Sequence, residues 1–239
     1  MGPVRADVVV MTRPWAEDRG LAARAATYAA LGEPARLVIV EELVVSDRTP
    51  GELGARLGLA SNLLAHHLDV LERAGLVART ASAGDGRRRY VRLVRTALAG
   101  LGIAGRAPRG DLLFLCTHNS ARSQLAAALW TARTGRRATS AGTAPAPRVH
   151  RGATAAARRA GVSLAGAVPV GFDGAPSDTQ VVTVCDLVHE ELTVGDDWWH
   201  WSIADPAAGG AAAFDAVVNE LEERIRAVTT GDDRRGEIG

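Results

Sequence analysis

The sequence predicts two domains of different class, a mostly helical N-terminal unit closed by a β-hairpin and a C-terminal α/β unit built on a parallel sheet. Three observations predict this. The chain has 239 residues, long for one compact domain and comfortable for two of roughly 100 to 130. Hydrophobic patterning changes from helical periodicity over residues 19–95 to short apolar runs separated by helical stretches after residue 111. The charge balance changes sign as well: residues 1–109 hold 16 Arg against 11 Asp or Glu, net +5, and residues 110–239 hold 12 against 16, net −4.

The apolar fraction of 47% is ample for two cores, and no run approaches the ~20 residues that span a bilayer. The opening MGPVRADVVVMTRPWAEDRG lacks a secretory h-region and cleavage site, so a cytoplasmic protein with no membrane partner is expected. Cys116 and Cys185 are the only cysteines, which excludes a disulfide scaffold and predicts reduced thiols. All 28 basic residues are Arg and none is Lys, the composition of a GC-rich genome. The expected division is a flexible leader over 1–18, a helical and hairpin domain over 19–97, a linker over 98–110, the α/β domain over 111–229 and a disordered tail over 230–239. The linker reads LAGLGIAGRAPRG, small and proline-bearing.

Within the first domain, Thr49, Pro50, Gly51 and Glu52 form a capping box with proline at the first helical position, so a helix should run from there through Leu57. Gly58 ends it. A second helix starts near Ala60, carries Leu64, His67, Leu68 and Leu71 inward, and ends at Gly75, giving a helix-turn-helix. Leu76–Thr80 and Arg88–Val94 flank the turn AGDG as a two-stranded wing bearing Arg87, Arg88, Arg89 and Arg92, which would sit on DNA phosphates. The segments ALGEPARLVIVEELV, GELGARLGLASNLLAHHLDVLERAGLV and GRRRYVRL resemble the ArsR-type winged-helix repressors. That resemblance implies a symmetric homodimer on a double-stranded operator, with Ser61, Asn62, Leu63 and His66 facing the bases. Ala60, Leu63 and Ala65 replace the hydroxyl residues common in that family, so apolar contact or shape would carry more of the specificity. The arsenite-sensing thiols of arsenic-responsive members would fall at Val44 and Ser46, neither of which binds As(III). Of His66 and His67, one is expected in the core, and no metal is expected at either, since no thiol or carboxylate pattern accompanies them.

In the second domain, apolar runs at Leu112–Cys116, Val168–Phe172, Val181–Cys185 and Trp198–Ile203 are the candidate strands. The segment LFLCTHNSARSQLAAALW joins the first of them to an amphipathic helix through a loop that begins at Cys116 and ends at Arg122. Backbone N–H groups of such a loop form a nest for a tetrahedral oxyanion, reinforced by the helix dipole, and the same field favours the Cys116 thiolate. Thr117, His118, Asn119, Ser120 and Ala121 form the rest of the cradle, and the Arg122 guanidinium can grip two anion oxygens. This half resembles the low-molecular-weight tyrosine phosphatases and, more closely, their arsenate reductase branch, through CTHNSARSQ, SAGTAP with the later Val149-His150, VVTVCD and HWSIADP. The resemblance implies a three-layer α/β domain with a four-stranded parallel sheet, Asn119 fixing the loop, Ser123 donating to the Cys116 sulfur and Asp205 before Pro206 as general acid.

Gln124 stands where phosphatase members usually carry proline, and Ala207 and Ala208 follow Asp205-Pro206 where they carry an aromatic residue. Both features favour arsenate reduction. Cys185 matches the first thiol of the thioredoxin-coupled relay, while the second would fall at Leu192. Cys185 is therefore either a resolving thiol or a buried strand cysteine, and an external thiol, mycothiol or a thioredoxin system, is the expected reductant, with no bound cofactor. Three readings follow: an arsenate reductase fused to a DNA-binding regulator, a regulator whose second domain senses arsenate or phosphate, and a protein tyrosine phosphatase.

Overall fold

A computed structural model of the chain describes residues 19–98, 103, 105–192 and 194–233. The expected leader, 1–18, and residues 234–239 lie outside the described residues. The N-terminal half comprises α1 (Arg19–Leu31), α2 (Pro34–Val45), α3 (Pro50–Leu57), α4 (Ser61–Arg73) and the antiparallel pair β1 (Val77–Ala81) and β2 (Arg89–Leu93). The capping box forms as expected: Thr49 Oγ1 accepts from Glu52 N at 3.3 Å and Glu52 Oε2 accepts from Thr49 N at 2.6 Å. Gly58 closes α3 and Gly75 follows α4, both at positive φ, +64° and +71°. Leu64, Leu68 and Leu71 of α4 pack with Ile39, Val40, Leu43 and Leu53 into one buried cluster, which defines the helix-turn-helix core.

The C-terminal half alternates β3 (Leu112–Cys116), α5 (Arg122–Thr134), β4 (Ala138–Gly142), α6 (Arg151–Arg159), β5 (Gln180–Thr183), α7 (Asp186–Glu191), β6 (Trp199–His200) and α8 (Gly210–Asp233). Its sheet has the order β4-β3-β5-β6, all pairs parallel. The four-stranded parallel sheet is as expected, but one strand is elsewhere. Val168–Phe172 is not a strand: Pro169 interrupts it, and only Gly171 makes a bridge, to Gly142. Its place is taken by Ala138–Gly142, an edge strand of small and hydroxyl residues without an apolar run. α8 continues through Asp233, so residues 230–233 are helical where a tail was expected. No helix among the described residues is long and apolar enough to cross a membrane.

The two halves are packed together. Segment 45–48 runs between them, with Arg48 N and O bonded to Val91 of the wing and Asp47 N donating to His200 O at 2.7 Å. His200 N donates to Ser46 Oγ at 2.8 Å and Trp201 Nε1 to Val45 O at 2.8 Å, so the free edge of β6 is covered. Asp47, fully buried, accepts from Arg224 at 2.7 Å and from Ser202 N at 2.8 Å and faces Arg92 at 3.4 Å. The linker expectation is corrected in its described part. Pro108 is buried, and a Cβ on Gly105 would come within 2.9 Å of both Val44 and Val45, so this glycine is needed for close packing.

Burial pushes the Asp47 carboxyl up, but Arg224 and Arg92 beside it prevail and hold it down at about 2, against 3.8 in the free side chain. Because the folded value is depressed, this group stabilises the docked fold above pH about 4 and loses that contribution as pH falls toward 2. Asp47→Asn leaves the buried Arg224 and the partly buried Arg92 to share Glu220 as their anion and should destabilise the chain by about 3 kcal/mol at pH 7, and by much less near pH 2, as measured by urea unfolding.

Candidate active site

β3 ends in the buried Cys116, and after five intervening residues Arg122 opens α5, so the loop between them curls over the N-terminus of a 13-residue helix. No side chain caps α5 at Ala121, leaving its first N–H groups and dipole directed at the loop. Asn119 organises the turn. It is fully buried and is the one described non-glycine residue with positive φ, +47°, a conformation that Asn tolerates better than most residues. Its side chain donates to Ser123 Oγ at 2.8 Å and accepts from Gln124 Nε2 at 3.0 Å and Val170 N at 2.8 Å. Asn119 N donates to Cys116 Sγ at 3.2 Å, and Ser123 Oγ lies 3.0 Å from the same sulfur. Two hydrogen-bonding groups thus converge on the sulfur.

Arg122, only 10% exposed in its side chain, is held by Ile203 O at 3.1 Å and Asp205 Oδ2 at 2.8 Å. Asp205 is half exposed, and its other oxygen accepts from Ala207 N at 2.9 Å, an Asx turn that aims the carboxylate back at the loop. Cys116, His118, Ser120, Ala121, Arg122, His150, Asp205 and Phe214 line one cleft. Cys116, Arg122 and Asp205, distant in sequence, are therefore brought together as expected. Thr117 turns away from the cleft, with its Oγ1 3.4 Å from Cys185 Sγ, and Cys185 caps α7 through Val188 N at 3.5 Å.

Four residues of this site are given no structural role by the sequence. Gln124 was read only as a departure from the phosphatase pattern, yet it is buried and links Asn119 to Val168 O. Gly142 abuts the loop. His150 caps α6 and stacks on Phe214, ring centroids 4.8 Å apart, to form one wall. The motif around Val149-His150 marked the histidine, but nothing local marks Phe214 in its alanine-rich helix start.

In the N-terminal half, Ser61, Asn62, Leu63 and His66 lie exposed along the first turns of α4, while His67 faces inward, 3.5 Å from Glu33. Arg87, Arg88 and Arg89 are exposed on the wing. Arg92 departs from the expectation: it is ion-paired with Asp47 and Glu220 at the junction of the two halves. Its three-residue offset from Arg89 places it on the other face of β2. The wing tip is docked on α7, with Ser82 Oγ and Asp85 N donating to Glu190 at 2.6 and 2.7 Å and Ala83 N to Asp186 at 2.7 Å.

A Cβ on Gly142 would meet Thr117 O at 2.6 Å and Asn119 N at 2.8 Å, backbone atoms that cannot swing aside. Gly142→Ala should weaken phosphate or arsenate binding at least tenfold in calorimetric titration while the far-ultraviolet circular dichroism stays unchanged, since only the loop is displaced.

The family model described as low molecular weight phosphotyrosine protein phosphatase matches residues 111–233, and the MarR family model matches residues 34–88. The helix-turn-helix expectation thus holds, with the MarR family where the motifs point to the ArsR type. Uncharacterized HTH-type transcriptional regulators from two strains of Mycobacterium tuberculosis are 46% identical over 56 residues, 23% of this chain and 49% of theirs. The chain spans about half the length of the curated relatives it matches. Among solved structures, a tyrosine phosphatase of Erwinia amylovora is 23% identical with a TM-score of 0.46, covering 52% of this chain and 93% of that one. An arsenate reductase of Archaeoglobus fulgidus is 31% identical with a TM-score of 0.43, covering 50% and 98%. A thioredoxin-dependent arsenate reductase of Corynebacterium glutamicum is 24% identical with a TM-score of 0.42, covering 54% and 64%.

Proposed function

We propose, for a chain that belongs to the low molecular weight phosphotyrosine protein phosphatase family through residues 111–233, that the C-terminal half reduces arsenate and the N-terminal half binds an operator as a transcriptional regulator. The observation that carries the reductase reading is the second thiol. Cys185 Sγ is 3.4 Å from the hydroxyl of Thr117, the residue next to Cys116, and phosphoester hydrolysis has no use for a thiol at that position.

In this reading the oxyanion enters the loop and draws Arg122 from Asp205 into a fork on two of its oxygens. Cys116 Sγ attacks arsenic, and a hydroxyl leaves as water with the proton held by Asp205. A second thiolate then attacks Cys116 Sγ. A disulfide forms, the electron pair of the S–As bond stays on arsenic, and As(III) departs as arsenite, so two thiols are oxidised for each arsenate reduced. Cys185 or an external thiol, mycothiol or thioredoxin, supplies the second sulfur, and no bound cofactor is needed. A cytoplasmic setting and a homodimer on double-stranded DNA accompany the proposal, with Ser61, Asn62, Leu63 and His66 at the bases and Arg87, Arg88 and Arg89 on phosphates.

A phosphatase reading is favoured by one feature, the His150–Phe214 wall, which gives an aryl ester a flat surface. A regulator that only senses arsenate or phosphate is the third reading. Turnover of arsenate and of para-nitrophenyl phosphate, each with mycothiol or thioredoxin, separates the three. Arsenite release is expected, abolished by Cys116→Ser and reduced by about 10²–10⁴-fold by Asp205→Asn. Ester hydrolysis without arsenite release would assign a phosphatase, and binding without either turnover would assign a sensor. Cys116→Ser should leave operator affinity unchanged in the absence of oxyanion.

A further inference from the structure

Two buried histidines sit where the halves meet. His189 of α7 and His200 of β6 stack with ring centroids 4.1 Å apart and planes 13° from parallel, both almost wholly inaccessible. Each ring turns Nδ1 to the same hydroxyl, Thr183 Oγ1, at 3.1 Å from His189 and 2.9 Å from His200. Each turns Nε2 to a different carboxylate: His189 to Glu52 Oε1 at 3.2 Å, His200 to Asp186 Oδ1 at 3.1 Å. Glu52 belongs to the capping box of the first helix of the helix-turn-helix, so this contact joins the DNA-binding half to α7.

Counting protons decides the state of this cluster. Both carboxylates are acceptors. Glu52 is held at about 2, burial pushing it up and the His189 and Thr49 hydrogen bonds prevailing, and Asp186 is also lowered by its donors. Both Nε2 atoms must therefore carry hydrogen. If both rings are neutral, both Nδ1 atoms present lone pairs to one hydroxyl that has one hydrogen, and one pair is left facing oxygen lone pairs in a dry site. Donation by Thr183 to Trp199 O at 3.3 Å would leave both unmatched. Burial and the neighbouring ring favour neutral His200. A single added proton then completes the chain His189 Nδ1–H to Thr183 Oγ1–H to His200 Nδ1.

We infer that His189, Thr183 and His200 form a buried proton-binding site in which one proton, carried by His189, latches α7 to the DNA-binding half. The surrounding charges fit one cation there. Glu52 faces it from α3, Asp186 and Glu190 from α7 and Tyr90 from β2, with the Tyr90 ring 4.7 Å from His200. Asp47 on the adjoining segment is neutralised by Arg224 and Arg92, and Arg48 by Glu42. Loss of the proton leaves one Thr183 hydrogen for two Nδ1 lone pairs, so one ring surrenders its Thr183 bond and the His189–Glu52 contact is no longer an ion pair. The same short helix carries the Asp186 and Glu190 carboxylates that grip the wing at Ala83 and Asp85. Docking is therefore strengthened by proton uptake, present at low pH and weakened as pH rises through the point where the site empties.

Long-range ¹H–¹⁵N spectra of the labelled full chain, recorded between about pH 5.5 and 9 where histidine titrates, test this. His189→Gln and His200→Gln assign the signals. The expected result at pH about 7 is one ring protonated on both nitrogens, His189, and one neutral ring protonated on Nε2, His200. The amide signals of Ala83 and Asp85 should shift in the step that empties the site. Thr183→Val should weaken proton binding about tenfold, the loss of one hydrogen bond to a charged group, and Thr183→Ser should retain it. Two neutral rings at pH 7, an unchanged titration in Thr183→Val, or wing amides indifferent to the step would overturn the proposal; the wild-type spectrum and Thr183→Ser decide it even if the valine variant does not fold.

Discussion

One buried carboxylate holds the molecule in its shape. Asp47 lies on the short segment between α2 and α3, and it receives hydrogen bonds from Arg224 of α8 and from Ser202 N beyond β6. An ionised carboxylate in a dry site is tolerated only when cations and N–H groups surround it, and removing either side of such an arrangement costs far more than an exposed ion pair. Asp47 thereby fixes the segment that covers the edge of β6, and that edge leads directly into Ile203 and Asp205 at the cleft. The junction and the cleft share one stretch of backbone.

The cleft depends on a second constraint of the same kind. A loop of five residues between Cys116 and Arg122 can present its N–H groups inward only if its middle is held in an unusual conformation, and Asn119 does this with four hydrogen bonds of its own backbone and side chain. The loop is thus preorganised before any anion arrives, which is how fixed dipoles stabilise charge without reorganisation. Arg122, tethered meanwhile to Asp205, is kept from collapsing onto the sulfur. In the proposed mechanism, entry of an oxyanion releases both groups to other work.

Much of this was legible in the sequence because it is written locally. The Thr49–Glu52 capping box, the glycines after α3 and α4, and the Cys116–Arg122 spacing after an apolar run each declare their structure within a few residues. The strand Ala138–Gly142 was not legible, because an edge strand packed through small residues has no apolar run, whereas Val168–Phe172 has the run but also Pro169 and too few pairing groups. The docking of the halves was hidden for a different reason. Ser46, Asp47 and Arg224 look like solvated residues one at a time, and only their long-range pairing buries them. Arg92 was misplaced on the same account: a basic wing reads as a phosphate contact until strand alternation directs one arginine inward.

The central claim is that Cys116 is a reactive sulfur at the floor of an oxyanion cradle. It is tested most directly by alkylating the full-length protein with iodoacetamide at pH 7, with and without saturating phosphate or arsenate, and reading the modified cysteine by mass spectrometry. The account predicts rapid modification of Cys116, slowed at least tenfold by either anion, with Cys185 unreactive behind Thr117. Modification of Cys116 at the same rate whether or not an oxyanion is present would contradict it.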